Sequence, residues 1–186
     1  MLKKIQYNSP VVLTFALLSL LVLLISSLTG GASTALLFSV YRAPLKDPFT
    51  WVRFIGHVLG HANYEHYISN MTLLLVIGPP LEERYGGRAL IECMAATAVI
   101  SGVVQFVFFP GSALLGASGI VFMMIILSSI SGASQGRIPL TLILVYVIYV
   151  GGEVISGLSQ PDNVSQLTHI IGGTCGAIFG LLLRKK

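Results

Sequence analysis

Charge is what this sequence has least of. Asp, Glu, Lys and Arg make up 10% of its 186 residues, where a soluble domain carries about 25%. That shortage excludes an ordinary water-facing surface. Long basic runs are also missing, since none exceeds three residues. The formal net charge of +4 is therefore not read as a nucleic-acid footprint, and no nucleic-acid partner is expected. Cysteine is scarce: Cys93 and Cys175 are the two, both inside apolar segments. A disulfide framework is not expected, and both read as small buried apolar side chains. Metal-ligand patterns are missing as well. His57 and His61 have helical i, i+4 spacing, but there is no HExxH and no Cys or Asp at ligand spacing to add a third ligand. Anchoring of the surrounding loop by hydrogen bonds is the expectation for this pair, with no metal and no cofactor.

What the sequence has is apolar length. Hydrophobic residues are 54% of the chain and the mean hydropathy is +0.86. Bilayer rules then apply. A span needs about 20 mostly apolar residues, and its backbone must satisfy its own hydrogen bonds, which here means helices. Six apolar segments are expected to be spans: 10–28, 64–81, 89–109, 116–131, 138–157 and 166–183. Lys3 and Lys4 ahead of the first run also fit a signal peptide, but that run is long for one and the cleavage site after it is poor, so an uncleaved span is expected. The fold class is thus an all-α membrane protein, a six-helix bundle in one domain covering 1–186.

The charges orient it. With six spans and the N-terminus inside, Lys3, Lys4, Arg84, Arg88, Arg137, Arg184, Lys185 and Lys186 lie inside, and Arg42, Lys46 and Arg53 outside. Eight against three satisfies the positive-inside rule for an N-in, C-in topology. The segment 29–63 is too polar to span and too apolar for a free linker. Phe38, Tyr41, Phe49, Trp51 and Phe54 among scattered cations suit the headgroup interface. Short helices partly embedded in the outer leaflet are expected there.

Polar residues inside spans are costly and mark function. His66 and Asn70 lie one turn apart on one face at the outer end of the second span. They serve equally as an interhelical hydrogen-bond pair. His169 opens the sixth span and heads a stripe of Gly172, Gly176 and Gly180. Such a stripe admits a neighbouring backbone closely. The fourth span is the best candidate to fill it: it is short, and it begins at "GASG", Gly116 to Gly119. Ser118 then lies at a recessed helix N-terminus, where free N–H groups favour negative charge. A serine hydroxyl needs a base, which His169 can be. A tetrahedral oxyanion needs preorganised donors, worth about 2.7–4 kcal/mol each. The N–H groups near Ser118, the Asn70 amide and the His66 ring are available. No carboxylate is well placed for a triad, Glu153 being a weak candidate, so the arrangement reads as a Ser–His dyad.

At these residues the chain resembles the rhomboid family of intramembrane serine proteases, over about 50–180. "HANYEHYISN" resembles the family's histidine–asparagine motif, "GASG" its GxSG motif, "THIIGGTCG" its AHxxG segment, and "EERYGG" its ExR signature. The resemblance implies Ser118 as nucleophile and His169 as general base. It implies an oxyanion hole of His66, Asn70 and the Ser118 N–H. It gives Glu82 and Arg84 a structural role, tying the inner end of the second span to the following loop, and Gln105 a packing role. Thr168 stands where alanine is usual, so its methyl must fit beside the fourth span. Phe122 stands where tyrosine is common and can still stack on His169. Trp51 and Arg53 stand for the usual adjacent Trp-Arg.

The implied substrate is a transmembrane segment of another membrane protein, with membrane lipids as surroundings and a prokaryotic plasma membrane as the expected location. A non-catalytic rhomboid-like protein that escorts membrane clients is the rival, against which the retained serine and histidine count. A transporter would favour charges at mid-membrane, and only Glu92 and Glu153 come near that.

Overall fold

The structure, a computed structural model, describes residues 6–132, positions 140, 143, 144 and 147, and residues 163–183. Among the described residues seven α-helices have defined bounds: α1 (Pro10–Leu28), α2 (Ala32–Leu37), α3 (Pro48–Gly56), α4 (Tyr64–Tyr85), α5 (Gly87–Phe108), α6 (Ser118–Gly132) and α7 (Asn163–Leu182), with a 3-10 turn at His57–Leu59. No strand occurs among the described residues, only an isolated antiparallel bridge between Val40 and Leu114.

The termini of these helices follow from local chemistry. Pro10 opens α1, where a missing N–H costs nothing. Glycines 30 and 31, at positive φ, carry the chain out of it. Asp47 caps α3 by accepting from the Phe49 N–H at 3.0 Å, with Pro48 at the first position. Asn63 caps α4 by accepting from the His66 N–H at 2.8 Å. That cap fixes where α4 starts and hence where His66 and Asn70 face. Both α1 and α5 are long and apolar enough to cross a bilayer. Helix α1 presents Leu17, Leu18, Leu21 and Leu24 outward and buries Val12, Ala16 and Leu23.

Among the described residues, helices match the expected apolar segment 10–28 and come within a few residues of 64–81, 89–109, 116–131 and 166–183. Helix α4 runs on to Tyr85 through Pro79 and Pro80. Helix α6 begins at Ser118 rather than at 116, and α7 begins three residues earlier than expected. The expected fifth span lies outside the described residues except at Leu140, Ile143, Leu144 and Val147, which are helical and exposed. The segment 29–63 holds two short helices and the 3-10 turn.

Helix α6 is the centre of the molecule. Ile120 to Ile125 are each no more than 1% exposed, as expected of a helix apolar all round. Around it, α7 lies backbone to backbone along one side. A Cβ on Gly172 would run into the Gly119 carbonyl, and one on Gly176 into the Met123 carbonyl. Gly180 continues the line against Ile130. The glycine stripe of α7 is filled by the fourth apolar segment, as the spacing predicts.

Glu82 joins the start of the chain to the end of α4. Its carboxylate accepts from the Val11 and Val12 N–H groups at 3.0 and 3.1 Å. Ser9 makes no side-chain cap there. Glu82 therefore caps α1 from some 70 residues away and sets a negative charge at its positive end. The partner is α1 rather than the loop after α4. Arg84 is exposed, its guanidinium 5.6 Å from the centre of the Tyr85 ring.

Glu82→Ala leaves two buried donors without an acceptor and should destabilise the protein by about 1–3 kcal/mol, with Glu82→Gln intermediate. Unfolding midpoints in detergent check this, and an unchanged Glu82→Ala midpoint contradicts the assignment.

Candidate active site

Ser118 is the first residue of α6 and is half-buried. The Ala117 carbonyl accepts from Val121 at 2.9 Å, which makes Ala117 the cap. The next N–H groups, from Ser118 onward, therefore have no acceptor within the helix. Gly116 precedes them at φ +122, a conformation a residue with a side chain rarely adopts. Its N–H donates to the His57 carbonyl at 2.9 Å. Two residues earlier, Leu114 exchanges both backbone hydrogen bonds with Val40, each at 2.9 Å. The turn ahead of Ser118 is thus held by the segment between α1 and α4.

His66 closes over that turn. A Cβ on Gly116 would lie 2.7 Å from His66 Cε1 and 2.8 Å from Nε2. The Ala62 N–H makes a long donation, 3.5 Å, to His66 Nδ1. A ring nitrogen that accepts carries no proton, so Nε2, the atom beside Gly116, holds the hydrogen of the neutral ring. Asn70 lies one turn on, 1% exposed. Its Nδ2 donates to the His66 carbonyl at 3.0 Å, and its Oδ1 has no partner among the described residues.

On the other side of Ser118 stands α7. His169 is 7% exposed and stacks on Phe122, ring centres 4.2 Å apart and planes 14° from parallel. The preceding residue, Thr168, puts its methyl 3.1 Å from the position a Gly119 Cβ would take. Only hydrogen on Gly119 lets the two chains approach so closely. The neighbours of Ser118 and His169 in sequence are thus in contact, and Phe122 holds the imidazole flat. His66 thus lies against the turn ahead of α6, and His169 on Phe122, one turn after Ser118. Gly116, Gly119, Gly172 and Gly176 line the approaches. Glu82 and Arg84 belong to the opposite end of α4, about 18 Å along its axis from Asn70 at 1.5 Å per residue.

Several supporting residues were not legible in the sequence. Arg53, counted there among the outside cations and set beside Trp51 in the resemblance, is 3% exposed. It pairs with Asp47 at 3.2 Å, donates to the Leu36 carbonyl at 2.9 Å, and lies 4.5 Å from the Tyr41 ring centre. Trp51 donates to the Leu45 carbonyl at 3.0 Å. Gln105 donates to the Ser112 carbonyl and hydroxyl, both at 3.1 Å, and so pins the loop between α5 and α6. His57 and His61 anchor the segment between α1 and α4 by hydrogen bonds, as expected: Nδ1–H of each donates to a carbonyl, of Arg53 at 3.1 Å and Leu59 at 3.2 Å. His61 also meets the His66 ring edge-on at 5.1 Å. Glu153 lies outside the described residues. Groups of three or more potential metal ligands do not occur among the described residues.

Burial lowers His57 and His61 from 6.5 to about 4; for His61 the neighbouring His66 adds to the effect. Both are neutral at pH 7. The unfolded chain takes up these protons first, so their contribution to stability is complete above about pH 6.5. It is lost as the pH falls towards 4. Unfolding midpoints measured from pH 7.5 to 4 should fall more steeply for the wild type than for a His57→Asn, His61→Asn variant. Parallel curves refute this. Gly172→Ala, by pushing α7 off Gly119, should cost about 1–3 kcal/mol, read in the same assay.

A family model described as Rhomboid domain matches residues 48–186. The chain is 28% identical over 149 residues to Rhomboid-related protein 2 of Mus musculus, covering 74% of this chain and 49% of that protein. It is 27% identical over 140 residues to Rhomboid-related protein 1 of Caenorhabditis elegans, covering 70% and 39%. It is 26% identical over 149 residues to Rhomboid-like protein 11, chloroplastic, of Arabidopsis thaliana, covering 73% and 53%. The chain thus spans about half the length, or less, of these relatives.

Proposed function

This chain belongs to the rhomboid family of membrane proteins, and from that premise we propose that it is a serine endopeptidase that hydrolyses peptide bonds in or beside the transmembrane segments of other membrane proteins. The observation that carries the reading is the close approach of Gly119 to Thr168 and Gly172. It supports the reading because Gly119 follows Ser118 and Thr168 precedes His169. Six spans in an N-in, C-in arrangement, within one domain and in a prokaryotic plasma membrane, complete the proposal.

In this reading His169 takes the proton of the Ser118 hydroxyl as Oγ attacks the scissile carbonyl carbon. The carbonyl oxygen becomes an oxyanion, and the Ser118 N–H, the His66 Nε2–H and the Asn70 amide donate to it. His169 then gives its proton to the leaving amine, and the C–N bond breaks. Water, deprotonated by the same imidazole, attacks the acyl ester, and Ser118 regains its hydrogen. No metal or cofactor takes part. The Phe122 stack supports the role of His169, because a dyad has no carboxylate to orient its ring. The helix-end N–H groups support the oxyanion site. A substrate helix hides its carbonyls in i, i+4 bonds, so cleavage requires local unwinding. Small residues at the cut and helix breakers near it favour that.

A fluorophosphonate should label the purified protein at Ser118. Both Ser118→Ala and His169→Ala should lower cleavage of a reconstituted membrane substrate by at least about 10³-fold, with unfolding midpoints close to wild type. His66→Ala and Asn70→Ala should each cost about 10²–10³ in turnover. Cleavage by folded Ser118→Ala protein rejects the nucleophile. Absence of labelling and cleavage in the folded wild type favours the client-escort reading.

A further inference from the structure

A crevice of about 450 Å³ lies between α1, the α3 segment with its 3-10 turn, and α5. Phe15 and Leu18 form one wall, Met94 and Ala95 another, with Val58 above and Ile120 at the back. Thr14 is the one polar side chain in the lining, and its hydroxyl is engaged with the Tyr7 hydroxyl at 2.9 Å. The wall therefore has almost nothing to offer a polar ligand. The crevice opens outward, since Leu18, Ile55 and Ile91 are each about half exposed. Left empty, its lining would lose dispersion contacts. Its size suits one long hydrocarbon chain.

Charged residues lie just beyond one end of the crevice, none of them in its lining. Gly87 packs on Val11 there, 3.0 Å from a Val11 methyl to where a Gly87 Cβ would be. The next residue, Arg88, shares a helix face with Ile91 and Ala95, three and seven positions on. Its side chain is 93% exposed, and Nε donates to Glu92 at 2.9 Å. A guanidinium has five N–H donors, so this pair leaves a fork free for phosphate. Arg84 adds a second exposed cation across the Gly86 turn.

We propose that the crevice binds one glycerophospholipid from the leaflet at which α1 begins. One acyl chain fills the crevice and the phosphate meets Arg88. The chain end reaches Ile120, two residues after Ser118, and Val58, next to the residue whose carbonyl holds Gly116. Bound lipid thereby braces the turn ahead of α6 from behind.

The test uses the full chain in dodecyl maltoside with added palmitoyl-oleoyl phosphatidylglycerol, read by native mass spectrometry. Wild type should retain one copy. Ala95→Phe, which fills the crevice, should abolish retention, and Arg88→Gln should weaken it about fivefold. A phosphatidylglycerol with a diazirine in its acyl chain should cross-link wild type at Phe15, Val58 or Met94. Cross-linking confined to the outer face of α1, at Leu21 and Leu24, overturns the proposal, as does unchanged retention by folded Ala95→Phe. Unchanged retention by Arg88→Gln overturns the headgroup assignment. If Ala95→Phe fails to fold, the wild-type cross-link positions decide. None of these readouts involves proteolysis, so their failure is separate from a failure of the protease reading.

Discussion

Two backbones touch where Gly119 meets Gly172, and the candidate site depends on that contact. Any side chain at Gly172 would occupy the space of the Gly119 carbonyl. The approach therefore exists only because both positions carry hydrogen. Gly176 and Gly180 continue the close packing, against the Met123 carbonyl and the Ile130 side chain. In a bilayer, helix association cannot rely on excluding water, because lipid tails are as apolar as leucine. Close van der Waals contact has to do more of the work. The same feature that holds α6 and α7 together also fixes the distance between a serine on one and a histidine on the other.

The opposite side of the site is held by hydrogen bonds. The turn ahead of Ser118 has three ties: Gly116 to the His57 carbonyl, Leu114 to Val40, and Gln105 to Ser112. Each partner but Gln105 and Ser112 comes from the segment between α1 and α4. That segment is fastened in turn by the buried Arg53 and its partners Asp47, Leu36 and Tyr41. A buried cation without such partners would be costly. Arg53 is thus the hub of this element, and the segment between α1 and α4 acts as a brace for the site rather than a linker.

Features with a local cause were legible in the sequence. Pro10 and the glycines at 30 and 31 bracket α1, so its limits follow from residues within it. The glycine stripe and "GASG" name each other as partners because both consist of small residues at helical spacing. Features with a distant cause were not legible. Arg53 looks like one outer charge among three, and only the folded segment brings Asp47 and Tyr41 to it. Glu82 looks tied to its sequence neighbours, yet its acceptors serve backbone N–H groups of α1, which carry no side-chain signature. The six-span count rests on apolar length, with the distribution of Lys and Arg as a check. Its fifth member falls largely outside the described residues, so the span count remains part of the proposed reading.

Helix α6 carries these demands together. One side, through Gly119, Met123 and Ile126, faces α7. Another, through Ile120, faces the apolar crevice. Its N-terminal turn faces His66. A helix so fully buried cannot tilt towards one neighbour without opening a gap at another, because interiors pack as densely as organic crystals. Ser118 therefore inherits its position from the contacts made by its neighbours on these three sides. That division suits the nucleophile role proposed for Ser118, because rigidity is supplied by residues that have no chemistry to perform in that reading.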